Sequence, residues 1–411
     1  MEKINKAGIF LVVLSTYILA LTIPISIAGD SIGVGVGAIG LLLILISKDF
    51  KNFPSLKPII LIFTAPILTM LSQFSLSFLS WSCINHHVLP YFTSYKAIKE
   101  KRIFKNILYL LAISFSAISF IIIFEAFSHQ NIKHLNLSNL TFYLNPYQSW
   151  GFYSNSLITA AILLPFIFLF LGLSINKKYI FIIPSILTIL ALIFTMKRSA
   201  YLGLGSGIIF LVIANIKNRK IFISSLVIAI LTTILVFSLP SLKNNLVSGF
   251  NIKKNIDAQV RFMLWESYLI TFKNYNLKEK LFGKGKQTRI YIKKNFPEAY
   301  YRITGQKKPF ESIKQYYVSG ISHNIYLRYL DETGIVGLLF FLFFWIYLLW
   351  INISNAKNHP LREILMSFSA GYIAFLVMGF FENNFVDAAT NMALMFIIGL
   401  NMFLIEHRKP L

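Results

Sequence analysis

Residues 155–175 read NSLITAAILLPFIFLFLGLSI, with no Asp, Glu, Lys or Arg among them. A run of this length and character matches the hydrocarbon core of a bilayer, which takes about 20 apolar residues as one helix. The apolar residues form a continuous run rather than one stripe of an amphipathic helix. Similar runs recur on both sides. Placing a helix in each gives spans near 8–28, 31–47, 57–75, 77–95, 106–127, 155–175, 179–196, 199–215, 221–239, 330–352, 363–381 and 387–405, twelve in all. The chain reads as an all-α polytopic membrane protein.

Composition agrees. Of 411 residues 56% are hydrophobic and 13% charged, about half the charged fraction of a soluble domain. Thirty-nine Lys and Arg against 16 Asp and Glu give a formal charge of +23. Such a balance suits nucleic acid, an anionic lipid surface or an anionic substrate. No soluble module is left over for nucleic acid, so membrane lipids and phosphorylated substrates remain. Cys83 is the only cysteine, which excludes an intrachain disulfide and a Cys-based metal site. The first run, Ala7 to Ala28, is longer than a signal-peptide core and is read as a retained helix.

Charge placement orients the spans. Short cytoplasmic loops collect Lys and Arg. Lys3 and Lys6 put the N-terminus inside. The inner turns then hold Lys48, Lys51 and Lys57; Lys96, Lys99, Lys101, Arg102 and Lys105; Lys177 and Lys178; Lys217, Arg219 and Lys220; Lys357 and Arg362; and Arg408 and Lys409. The span at 77–95 is the weakest, with His86, His87 and Pro90 in it, but omitting it would invert every later basic turn. Residues 128–154 form a modest outer loop. A long outer loop at 240–322 carries 16 Lys and Arg against Asp257, Glu266, Glu279, Glu298 and Glu311, a net of +11. Loops beyond about 60 residues translocate regardless of charge, so this excess has a cause other than topology. The chain divides into 1–239 (nine spans), 240–322 (the basic loop) and 323–411 (three spans). Gly33 and Gly37, and Gly203 and Gly207, have the spacing that lets membrane helices approach closely.

Three residues on the outer side carry candidate chemistry. Arg198 lies in the whole turn between two spans, Thr195 to Ser199, at the membrane–water boundary. A snorkelling anchor is one reading; a phosphate ligand held by the planar guanidinium fork is the other. Arg261 and Trp265 are four apart and share a helical face, with Val260, Met263, Leu264 and Leu269 expected to rest on the membrane surface. His323 opens the segment leading into the tenth span, where Gly334 is expected to end a helix. A neutral imidazole there can take a proton from a hydroxyl. No second His or carboxylate sits beside it at ligand spacing, so no metal is expected. Two guanidiniums to hold a diphosphate and one base to activate a hydroxyl describe glycosyl transfer from a lipid diphosphate donor.

The long outer loop, Arg198 after the seventh span, Arg261-xxx-Trp265 and His323-Asn324-xx-Leu327-xx-Leu330-x-Glu332-x-Gly334 together resemble the O-antigen ligase family, within the wider group of ligases, O-antigen polymerases and protein O-oligosaccharyltransferases. The resemblance implies a GT-C-like glycosyltransferase of the bacterial inner membrane with both termini cytoplasmic and its active site periplasmic. Such an enzyme moves O-antigen from undecaprenyl diphosphate to a sugar of lipid A-core, with inversion and without a metal or nucleotide cofactor. It further implies that Arg198 and Arg261 bind the diphosphate and that His323 is the base or positions the acceptor. Trp265, Asn324 and an acidic residue between the last two spans would contact substrate. Asp387 is the acidic candidate and Glu382 its rival. A polymerase of the same group is the alternative, and the basic loop favours a phosphorylated acceptor. A flippase or transporter is the remaining reading, disfavoured because transporters line a path with ionisable residues inside their spans, whereas the spans from 155 to 239 hold none away from their ends.

Overall fold

The structure is a computed structural model. It describes all residues except 50–52, 74–85, 137–139, 154, 177, 217–218, 249–254, 308–320, 358 and 408–411. Cys83, Glu311, Lys51, Lys177, Lys217, Arg408, Lys409 and part of the span expected at 77–95 lie outside the described residues.

The described residues are helical, with no strand among them. The helices are α1 (Glu2–Thr22), α2 (Ile27–Ile46), α3 (Lys57–Gln73), α4 (Leu89–Lys96), α5 (Lys101–Ser128), α6 (Ser156–Ile175), α7 (Ile182–Phe194), α8 (Arg198–Ala214), α9 (Arg219–Ser238), α10 (Pro240–Ser248), α11 (Ile256–Lys273), α12 (Leu277–Phe282), α13 (Thr288–Thr304), α14 (Ile325–Ala356), α15 (Arg362–Gly379) and α16 (Ala388–His407). Seven of them, α1, α2, α5, α6, α14, α15 and α16, are long and apolar enough to cross a membrane. The end of α9 and α10 make a pair bent by 96°, and α3, α7 and α8 are shorter apolar helices. Outside the basic loop each helix falls on an apolar run of the sequence. The exception in form is α4, eight residues long, buried, and tied by its Ser94 hydroxyl to the Phe396 carbonyl of α16 at 3.0 Å.

Small residues set the helix packing. A Cβ on Gly203 would stand 2.6 Å from the Ala374 carbonyl oxygen, and one on Gly207 would stand 2.2 Å from the Phe168 ring. Backbone approach of this kind substitutes for a hydrophobic driving force that lipid does not supply. The densest layer lies around α6 and α16, where Phe166, Phe168, Phe170, Phe396 and Met402 are fully buried.

Loop contacts sort the helix ends into two faces. On one, Tyr153 donates to the Ile23 carbonyl, Ser149 N–H reaches Phe194 O at 3.1 Å, and Asn145 accepts from Ser241 N–H at 3.1 Å. Glu125 fixes the 129–153 loop there by accepting backbone N–H groups from Ile132, Trp150 and Gly151 at 3.0, 3.2 and 2.8 Å. On the other face Asn5 and Lys96 meet Asp49, Tyr95 meets Glu406, and Asn176 meets Glu363.

The basic loop is folded onto the first face as α10 to α13. Its apolar side is not spread on the membrane surface as expected. Val260, Met263 and Leu264 of α11 pack on Phe296 and Tyr300 of α13, because a second helix offers closer complementarity than a headgroup layer; Leu269 alone stays exposed. Gly334 does end a helix, as expected, and a second helix follows it directly. It breaks α14 at φ 71°, ψ −174°, and the helix resumes to Ala356. The break admits α12: a Cβ on Gly334 would lie 2.3 Å from the Leu281 carbonyl, and one on Gly283 would lie 2.3 Å from the Glu332 carbonyl. The Asp331 carbonyl, freed from the helix ladder, accepts Lys284 N–H at 3.3 Å and the Thr288 hydroxyl at 3.1 Å. Replacing Gly334 by Ala is therefore expected to cost at least about 1–3 kcal/mol, since this backbone region is essentially restricted to glycine. Thermal unfolding in detergent measures it, and an unchanged midpoint would mean the break is not needed for loop docking.

Candidate active site

The site is assembled where three short segments meet: the turn at 195–197, the segment 322–324 before α14, and the segment 381–387 between α15 and α16. Helix α11 lies across them. It starts on an Asn255 cap, whose side-chain oxygen accepts Ala258 N–H at 3.2 Å, and this fixes the first turn, with Arg261 in the turn that follows. Arg261 Nη2 then reaches Glu382 Oε1 at 2.7 Å. One turn on, the Trp265 indole donates to the Ser322 carbonyl at 2.8 Å. The shared face of Arg261 and Trp265 thus grips both neighbouring segments.

His323 is held in an unusual backbone state, φ 47°. His tolerates this region better than most side chains, at an energetic cost. The conformation is enforced on both sides. The Ser322 hydroxyl donates to Asn324 O at 2.8 Å. The Asn383 amide, with its nitrogen toward Ser322 and Asn324 O, accepts His323 N–H at 3.2 Å. The imidazole Nδ1 meets Glu382 Oε2 at 3.2 Å. With Nδ1–H donated to the carboxylate, Nε2 carries the lone pair and can accept a proton.

Glu382 therefore joins Arg261 and His323 through its two oxygens, and only 3% of it is exposed. The sequence motif that contains His323 gives no hint of this partner, which lies 59 residues away. Asp387, the preferred acidic candidate from sequence, sits further back. Among the described residues no hydrogen bond or ion pair joins it to His323 or Arg261, and burial pushes its carboxyl up to about 6, with Arg328 and His323 pulling down and Glu382 pushing up. Asn324 caps α14, accepting Leu327 N–H at 3.0 Å, and is 7% exposed. Its side-chain oxygen thus serves the helix, which limits what it can offer a substrate.

Arg198 opens α8, and its Nη1 donates to the Ser248 hydroxyl at the end of α10 at 3.3 Å. It lies in the electrostatic field of Arg261 and Asp257. Lys197, passed over in the sequence reading, joins them. Burial pushes its ammonium below the usual lysine range, with Glu382 opposing and Arg261 adding. Met196 beside it has φ 54°, a second strained position at the same site. Lys197, Arg198 and Arg261 thus share the site with two carboxylates, the nearly buried Glu382 and Asp257. An excess of fixed positive charge in a half-desolvated cleft is an anion site.

Residues 183–342 match a family model described as O-antigen ligase. The match spans residues 183–342 of 411, a part of the chain that is similar to that family. No curated protein matches the chain. The matched stretch contains Lys197, Arg198, Arg261, Trp265, His323 and Asn324, and it includes the broken start of α14. Glu382 and Asp387 lie beyond its end, so the carboxylate that joins its Arg and His comes from outside the matched stretch. Among the described residues no cluster of three or more His, Cys, Asp or Glu is placed to hold a metal.

Proposed function

We propose that the protein transfers O-antigen polysaccharide from undecaprenyl diphosphate to an outer-core sugar of lipid A-core. It does so from the periplasmic face of the bacterial inner membrane, as a twelve-span, GT-C-like enzyme with both termini in the cytoplasm. The observation that carries this reading is the Arg261–Glu382–His323 contact beside Arg198 and Lys197. It puts a base next to an anion site.

In this reading the donor diphosphate lies against Arg198 and Arg261, displacing or sharing the Glu382 contact. His323 Nε2 takes the proton of the acceptor hydroxyl. The hydroxyl oxygen attacks the anomeric carbon as that carbon's bond to the diphosphate oxygen breaks, and the electron pair leaves with undecaprenyl diphosphate. Attack opposite the leaving group inverts the anomeric centre. The guanidiniums stabilise the charge that grows on the diphosphate, the term expected to dominate. Glu382 holds the imidazole tautomer and stabilises the imidazolium.

A lipid donor also needs room for its tail. An apolar cavity of about 310 Å³ lies between α8, α9 and α10, lined by Tyr201, Leu204, Ile208, Val236, Phe237 and Leu246 among others. Tyr201 is one turn below Arg198, and Leu246 is beside the Ser248 that Arg198 bonds. A polyprenyl chain entering there would bring its diphosphate to Arg198. The acceptor reading rests on the basic loop, where Arg289, Lys293 and Lys294 of α13 form no ion pair among the described residues. Phosphates and acidic sugars of lipid A-core suit them.

Purified protein incubated with undecaprenyl diphosphate-linked glycan and lipid A-core tests the reading. Glycan on lipid A-core supports a ligase. Longer glycan on the carrier makes the protein a polymerase, and neither product overturns both. Arg261→Lys is expected to lose roughly ten- to a hundredfold in transfer, the worth of a charge-assisted fork contact. Full activity in that variant would reduce Arg261 to a simple charge.

A further inference from the structure

A second cavity opens at the end of the bundle away from Arg261. It has a volume of about 570 Å³ and is walled by Leu41, Leu42, Leu45, Phe53, Leu56 and Phe92 among others. It belongs to the face that holds the Asn5–Asp49 and Tyr95–Glu406 contacts, so it is separate from the site above. The volume is within the about 300–1,000 Å³ of pockets that hold small molecules. Leu42 and Leu45 are more than 40% exposed on α2, a helix long and apolar enough to cross the membrane. The cavity therefore opens to lipid rather than to water.

Its wall is built, not collapsed. Lys96 is buried and stands over the Phe53 ring at 4.5 Å while meeting Asp49 at 3.8 Å. Asn5 donates to the same Asp49 at 3.1 Å. These contacts hold Phe53 as one side of the groove. The mouth is positive. Lys48 follows Leu45 by one turn and Lys57 follows Leu56 directly; both are exposed, and neither has an acidic partner among the described residues. Lys57 also opens α3, where the Ser55 hydroxyl takes its N–H at 3.3 Å and the helix dipole adds partial positive charge.

We propose that this groove binds one anionic phospholipid of the cytoplasmic leaflet, its acyl chain along Leu42, Leu45, Leu56 and Phe92 and its phosphate at Lys48 and Lys57. An apolar trough explains retention of any acyl chain. Two unpaired lysines at its mouth select an anionic headgroup, each worth about 1 kcal/mol near a membrane surface.

The test places the full-length protein in nanodiscs of equal phosphatidylglycerol and phosphatidylethanolamine and reads retained lipid by native mass spectrometry after transfer to detergent. Phosphatidylglycerol is expected to be retained about ten- to thirtyfold over phosphatidylethanolamine. The Lys48→Gln, Lys57→Gln double variant is expected to bring the two lipids level, and Leu42→Trp to lower retention of both. Thermal unfolding confirms that each variant is folded. A double variant that keeps the preference, a wild type that retains neither lipid, or a second copy of the chain in place of lipid would overturn the proposal. Because the two lysines lie at the opposite end from Arg261, glycan transfer reports on the enzymatic reading separately.

Discussion

Changing His323 to Ala is expected to lower glycan transfer by roughly 10²- to 10⁴-fold, the usual worth of a positioned general base, while donor binding stays within a few-fold of wild type. The expectation follows from the geometry. The imidazole is held through Nδ1 by Glu382, so its other nitrogen is the one presented to the acceptor. The anion site is made by Arg198, Lys197 and Arg261, none of which depends on the imidazole for its position. Single-turnover transfer and donor binding, measured on the same preparation, separate the two effects. If donor binding collapses together with transfer, His323 is a structural residue holding the 322–324 segment in its strained form, and the base must be sought elsewhere.

Changing Glu382 to Gln is expected to have a different signature, with losses of roughly ten- to a hundredfold in transfer and a separate change in donor binding. Hydrogen bonds to a charged group are worth about 1.5–3 kcal/mol, and Glu382 makes two of them, to Arg261 at 2.7 Å and to His323 at 3.2 Å. The amide keeps the volume and one acceptor but loses the charge that faces Arg261 and Lys197. Freed of that internal anion, the site is expected to bind the diphosphate more tightly while turning over more slowly. Residues acting as one unit are not additive. The His323→Ala, Glu382→Gln double variant should therefore transfer no worse than His323→Ala alone. Additive losses in the double variant would show that Glu382 works apart from His323, leaving the Arg261 contact as its role.

Much of the architecture was legible because a bilayer imposes a simple rule. Seven apolar runs became helices long enough to cross a membrane, while the run expected at 77–95 shows only the eight-residue α4 among the described residues. Arg198, expected in the short turn at 195–199, is the first residue of α8, because a turn this short leaves it at a helix end. The face shared by Arg261 and Trp265 was also legible, because four-residue spacing on a helix is local geometry. The misreading of α11 has a physical cause. Whether Val260, Met263 and Leu264 face lipid or α13 depends on a partner distant in the chain, as does the docking of α12 at the Gly334 break. Local periodicity carries no information about that partner.

The sequence by itself determined that this is a helical membrane protein with a large basic loop, and which Arg and His stand at helix ends. These properties follow from hydrophobicity, charge and helical spacing, all read over a few residues. Only the tertiary structure decided how the site is wired. It put Glu382 rather than Asp387 between Arg261 and His323, added Lys197 to the cations, and turned Asn324 into a helix cap. A carboxylate finds its partners through space. Two acids five residues apart look alike in sequence, and only the packing of α11 and α14 against the segment 381–387 makes one of them the bridge.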